Sequence, residues 1–154
     1  MGFDVFGKEP VNETGTYFRN NIWCWRPLWN YVFANLKAIS EEDYFKGSHN
    51  DGHEINKEKA QRIAASLKQK IESGELEEYI EAYTKYLDEL PEEPCDYCDS
   101  LGLRELPDSN DLVQCNGCGG SGKVKSFETY YPMYVENMKN FADFCQDSGG
   151  FKIY

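Results

Sequence analysis

Two cysteine pairs constrain this chain more than any other feature. Cys95-x-x-Cys98 and Cys115-x-x-Cys118 are separated by sixteen residues. That spacing suits four thiolates closing on one metal ion. Each pair needs a tight turn that points two sulfurs to one side, so residues 95–125 cannot join a long helix or a broad sheet. A site closed by four protein ligands has no open position. It supplies folding energy rather than chemistry. The expected cofactor is one structural Zn²⁺ held by Cys95, Cys98, Cys115 and Cys118. A redox-active disulfide would want a C-x-x-C opening a helix after a strand, and iron accepts the same ligands. Both remain open on sequence. Cys24 and Cys145 have no partner at metal spacing and read as small buried apolar residues.

The second pair overlaps a competing motif. Gly117, Gly122 and Lys123 fall at G-x-x-x-x-G-K spacing, one residue short of a phosphate-binding loop. Val124 stands where the Mg²⁺-binding hydroxyl belongs, and "VKSFETYYP" is poor material for the helix that would cradle phosphate. The glycines have another use: backbone wrapped around sulfur needs positive φ and room where a Cβ would sit.

Cys115 to Gly122 is a full C-x-x-C-x-G-x-G, and Cys95 to Gly102 is a second copy in which Ser100 replaces the first glycine. The module resembles the DnaJ-type cysteine-rich zinc domain. That resemblance implies a β-hairpin-like fold with one zinc. The chain has fewer repeats than that family and no J-domain His-Pro-Asp motif, so co-chaperone activity is not implied. The whole chain also resembles small bacterial and bacteriophage proteins of uncharacterised function. "MGFDVFG", "YFRNNIWCWRPLW", Asn50-Asp51-Gly52 and "YPMYVENMKNFADFCQDSGGF" carry that resemblance, which implies a bacterial or phage cytoplasmic protein.

Around the module, "GFDVFG" reads as a strand and "ETGTYFRNN" as a polar turn region. A helix is expected to start with Pro27 at its first position and to run through Leu28, Tyr31, Val32, Leu36 and Ile39. "KGSHNDGHE" reads as a loop. Asn56 caps a second helix, Ser73-Gly74 breaks it, and a third follows, the two expected as an antiparallel hairpin. "PEEP" stops the third helix. Val135 to Cys145 forms a last amphipathic helix and "FKIY" a strand, which could pair with the first. The expected fold is α+β and mainly helical: a helical body of residues 1–94 and 126–154, a small terminal β element, and an inserted four-cysteine zinc hairpin module at 95–125.

The net charge of −11 concentrates in residues 71–99, with eleven Asp/Glu against Lys85. So acidic a chain argues against nucleic acid as a partner. The block suits a basic protein partner or mimicry of nucleic-acid charge, and equally a solvated helix face. No run approaches 18 apolar residues, so no membrane span is expected and the chain reads as cytoplasmic.

Two further patches are candidates. Trp23, Trp25 and Trp29 are interleaved with Arg26 and preceded by Arg19. Such a set serves a core, a protein interface, or a pocket for an anionic ring ligand. His49, Asp51, His53 and Glu54 could hold a metal ion that activates water, or simply form a turn. No reaction is disclosed. The leading expectation is a non-enzymatic, zinc-stapled acidic protein that binds a protein partner, with inhibition of a host protein as its role if phage-borne. The alternatives are a small-molecule or nucleotide binder built on residues 19–29, and a metal-assisted hydrolase built on residues 49–54.

Overall fold

The computed structural model describes residues 2–109 and 111–154. The fold is α+β and mainly helical. Two compact units divide the chain, residues 1–84 with 131–154, and residues 85–130.

In the first unit, β1 (Gly2–Gly7) pairs with β2 (Tyr17–Asn21) and with β8 (Phe151–Ile153), and β8 pairs with β3 (His53–Ile55), all antiparallel. The order is β2-β1-β8-β3, so the first and last strands do meet. Alternation sends Phe3, Val5, Phe18, Ile55, Phe151 and Ile153 inward. "TYFRNN" is therefore largely a strand, not a turn. Its alternating Tyr-Phe-Arg-Asn pattern is a half-buried strand pattern that polar composition disguises.

Helix α1 (Ile22–Tyr31) begins five residues before the expected start. The Asn21 side chain accepts from the Cys24 N–H at 2.8 Å, a complete N-cap. Pro27 thus sits inside the helix, where it contributes no N–H to the ladder. The helix widens into one π-turn at Val32–Leu36 and ends at Lys37, which has φ of 52°. Ile39 lies beyond it.

Helix α2 (Glu41–Gly47) fills part of the expected loop. Ser40 and Asp43 form a reciprocal capping box. Asp43 also binds Lys59 Nζ at 2.5 Å and His53 Nε2 at 3.1 Å, with its side chain only 6% exposed. Burial acts to raise its pKa, but the hydrogen bonds from Lys59, Ser40 and His53 outweigh it and hold the carboxyl well below its ordinary 3.8.

Helices α3 (Lys57–Glu72) and α4 (Glu75–Glu89) follow, with Asn56 capping α3 through the Lys59 N–H at 2.9 Å. The main helical neighbour of α3 is α5 (Val135–Asp147), not α4, so the expected α3–α4 hairpin gives way to α3–α5 packing. Ala60, Ile63, Ala64 and Leu67 from α3 meet Met138, Phe141, Ala142 and Cys145 from α5 in one core. Leu76 and Ile80 of α4 join it. The carbonyls at the end of α5 are taken by the N-terminal loop: Val11 N–H donates to Asp147 O at 2.9 Å and Glu9 N–H to Ser148 O at 3.0 Å. Gly15 passes so close that a Cβ would stand 2.1 Å from the Asp147 carbonyl oxygen.

In the second unit, β4 (Glu93–Pro94) pairs with β7 (Lys123–Val124), and β5 (Leu103–Glu105) with β6 (Leu112–Gln114). A short 3-10 turn spans Phe127–Tyr130.

Asp43→Asn is expected to cost about 2–4 kcal/mol, since it leaves Lys59 without its partner and weakens the cap. Because the folded pKa is depressed, this stabilisation is present above the unfolded value and lost as pH falls below 3.8. Acid titrations followed by circular dichroism should show wild type and variant converging at low pH.

Candidate metal centre

The two cysteine repeats fold as copies of one another, twenty residues apart. Cys95 N–H donates to the Gly122 carbonyl at 2.9 Å, and Cys115 N–H to the Gly102 carbonyl at 2.9 Å. Ser100 N–H reaches Cys95 O, as Gly120 N–H reaches Cys115 O. The Gly102 N–H points at Cys98 Sγ and the Gly122 N–H at Cys118 Sγ, both at 3.2 Å. Each repeat closes on the other: a Cβ on Gly102 would lie 2.3 Å from the Gly120 oxygen, and one on Gly122 2.2 Å from the Ser100 oxygen. Both glycines also have positive φ, 74° and 73°. The first repeat compensates for its lost glycine by holding Ser100 at φ of 65°.

All four sulfurs lie within 4.8 Å of one another. Cys95 and Cys115 Sγ are 3.9 Å apart, Cys98 and Cys118 Sγ 3.7 Å. A tetrahedron with metal–sulfur bonds of about 2.3 Å has sulfur–sulfur edges of about 3.8 Å. The cluster fits a four-thiolate metal ion, and these separations are far beyond the roughly 2.05 Å of a disulfide. All six cysteines are free thiols, and both C-x-x-C pairs sit in turns rather than at a helix start.

Without a cation two of the thiols, Cys95 and Cys98, resist ionisation. Burial pushes Cys95 up to about 12 and raises Cys98. At Cys118 burial also acts upward, but the N–H groups of Gly122 and Gly120 outweigh it and bring the thiol down to about 7. A bound divalent ion would reverse the penalty by supplying charge where four sulfurs converge. The phosphate-loop reading finds no support in this geometry, because the Gly120 and Gly122 N–H groups serve Cys115 and Cys118.

The aromatic segment splits in two. Trp25 and Trp29 are core residues, 0% and 1% exposed, stacked with centroids 5.2 Å apart. For these two the core alternative holds, and Trp25 and Trp29, named as candidate binding residues, cannot touch a partner. Trp23 is exposed and packs on Tyr131 at 5.1 Å. Arg26 lies 5.8 Å from the Tyr131 ring centre, with Nη1 donating to the Tyr131 hydroxyl at 3.3 Å. Arg19, on the outer face of β2, stands 3.6 Å from Asp4 and borders a shallow cleft of ≈ 450 Å³ with Gly2, Asn20 and Asn21.

The histidine loop does not converge. His49 Nδ1 meets the Phe45 carbonyl at 2.9 Å, His53 faces Asp43, Glu54 pairs with Lys8 and Lys152, and Asp51 is exposed. Among the described residues the four cysteines are the only group of three or more His, Cys, Asp or Glu placed to share an ion. Sequence reading missed Asp43, although Ser40-x-x-Asp43 is a capping-box pattern.

No protein-family model, no curated protein and no solved structure matches the chain.

Gly122→Ala should abolish metal binding by elemental analysis, whereas Ser100→Gly should stabilise the loaded module by about 0.5–1 kcal/mol through relief of backbone strain. Trp25→Ala should cost about 3–5 kcal/mol in chemical denaturation, and Arg26→Ala less than about 0.5 kcal/mol.

Proposed function

We propose that this protein is a non-enzymatic interaction protein in which residues 85–130 form a structural zinc module presented to a protein partner. The observation that carries this reading is the closed four-sulfur cluster, which offers an ion four protein ligands and leaves no position for substrate. Zinc is the ion that such a thiolate set most commonly holds. The C-x-x-C-x-G-x-G resemblance to DnaJ-type modules points the same way. When bound, zinc would supply folding free energy to a unit whose buried centre is Cys95, Cys98 and Cys115, with Cys118 and Val124 against them.

The acidic composition and the absence, among the described residues, of any helix able to cross a membrane fit a partner that is a protein rather than a lipid surface. A cytoplasmic setting keeps the thiols reduced. A bacterial or phage origin, with inhibition of a host protein as the role, follows from the resemblance alone. The cleft beside Arg19 favours one second reading, a small anionic ligand at the β2 edge.

Elemental analysis should find one zinc per chain, lost in both Cys95→Ser and Cys115→Ser and retained in Cys24→Ser and Cys145→Ser. Metal binding expels thiol protons, so apparent affinity should rise with pH and fall on acidification. Hydrogen exchange after chelation should show residues 85–130 losing protection while the core of residues 1–84 and 131–154 keeps it. A metal-free protein with no such change would sink the reading. So would a protein that retains no partner from bacterial lysate.

A further inference from the structure

The two cysteine repeats serve as an internal control for each other. They make matching backbone hydrogen bonds from cysteine to glycine and from glycine to sulfur, yet their side chains differ. Where the second repeat has Gly117, Ser121 and Lys123, the first has Tyr97, Leu101 and Leu103. The fold therefore does not require apolar side chains at Leu101 and Leu103, whereas the Tyr97 ring leans on Gly117, where a Cβ would stand 2.9 Å from it. Tyr97 and Leu101 are nevertheless 78% and 77% exposed.

The β5–β6 ribbon extends this surface. Leu103 pairs with Gln114 and Glu105 with Leu112, which puts Leu103 and Leu112 diagonally on one face, while Arg104 and Val113 take the other. Leu112 is 63% exposed and Leu103 46%. None of these side chains belongs to the sulfur-centred core. Along residues 96–112 every exposed charge is acidic, Asp96, Asp99, Glu105, Asp108 and Asp111, with Arg104 half-buried, while the exposed cations Lys123 and Lys125 belong to the second repeat. Four thiolates and a divalent ion would add further negative charge nearby. Apolar surface rimmed by charge marks an interaction site rather than a solvated face, and charge sets what it selects.

We propose that the first-repeat face, Tyr97, Leu101, Leu103 and Leu112 within its acidic rim, docks a cationic amphipathic segment of a protein partner. This rests on the reading of the protein as an interaction module. Leucines and the tyrosine ring take the apolar side of that segment, and the carboxylates meet its Lys or Arg residues.

The test uses the full-length, metal-loaded protein and a Lys/Leu amphipathic helical peptide, with Glu/Leu and Lys/Ser versions as controls. Calorimetry should show binding of the Lys/Leu peptide alone, weakening with salt. Leu101→Ser with Leu103→Ser should reduce affinity by about tenfold or more, with metal content by elemental analysis unchanged. Tyr97→Gly, which copies the second repeat, gives an independent variant should the double change disturb folding. Equal binding by wild type and these metal-loaded variants would overturn the proposal, as would equal binding of the Lys/Ser peptide. Self-association through the leucines without peptide binding would also overturn it, by making a second copy the occupant. If lysate partners are captured equally by wild type and the leucine variants, the interaction reading stands and this face is excluded.

Discussion

Two indole N–H groups hold the first unit together at its centre. Trp25 donates to the Gly47 carbonyl at 3.0 Å and Trp29 to the Tyr44 carbonyl at 3.1 Å, which Ser48 also reaches, so one helix supplies donors to the C-terminal carbonyls of another. The rings that do this stack on each other, and Phe3 stacks on Trp25 at 5.2 Å, tying β1 to the same column. A Cβ on Gly47 would fall within 2.8 Å of Trp29 ring atoms, so the last residue of α2 has to be glycine for the column to close. Sheet, α1 and α2 are thus fixed by one stack of aromatic faces whose indole donors are both paired. Asp43 secures the other end of α2 by joining its cap to Lys59 on α3 and His53 on β3.

The second unit solves the opposite problem, a fold with almost no hydrocarbon to bury. Sulfur replaces it. Reciprocal contacts between Gly102 and Gly120, and between Gly122 and Ser100, bring two turns face to face. The surrounding ribbons are then too short to bury their own leucines, which leaves those side chains available at the surface.

Much of this was legible in the sequence where local signals and tertiary demands agree. The cysteine spacing located the cluster, Asn56 located the start of α3, and alternating "GFDVFG" and "FKIY" located strands that do pair. The failures have physical causes. Pro27 is a strong helix-start signal, but Asn21 offers a side-chain oxygen to a free N–H and a proline does not, so the cap determined the boundary. Strand β2 was hidden because its outward face carries Tyr17, Arg19 and Asn21. Trp23, Trp25 and Trp29 look alike in sequence, and only the helical phase separates the two that enter the core from the one that remains at the surface. His49 and His53 are close in sequence, yet a turn and a strand send them to different partners.

The antiparallel pairing of Glu93 with Val124 bears on how the chain folds as well as on what it becomes. Strand β8 must find β1 across nearly the whole sequence, and Tyr83 must bring its hydroxyl to the Tyr131 carbonyl, 2.9 Å away, across the intervening insertion. Pairing at 93 and 124 removes residues 94–123 from that loop. Shortening a loop to about a third of its length lowers its closure entropy by about 1 kcal/mol. An ion that organised the ribbons early would therefore ease the meeting of Tyr83 with Tyr131, whereas the closure of β1 on β8, which spans nearly the whole sequence, would gain only about 0.2 kcal/mol.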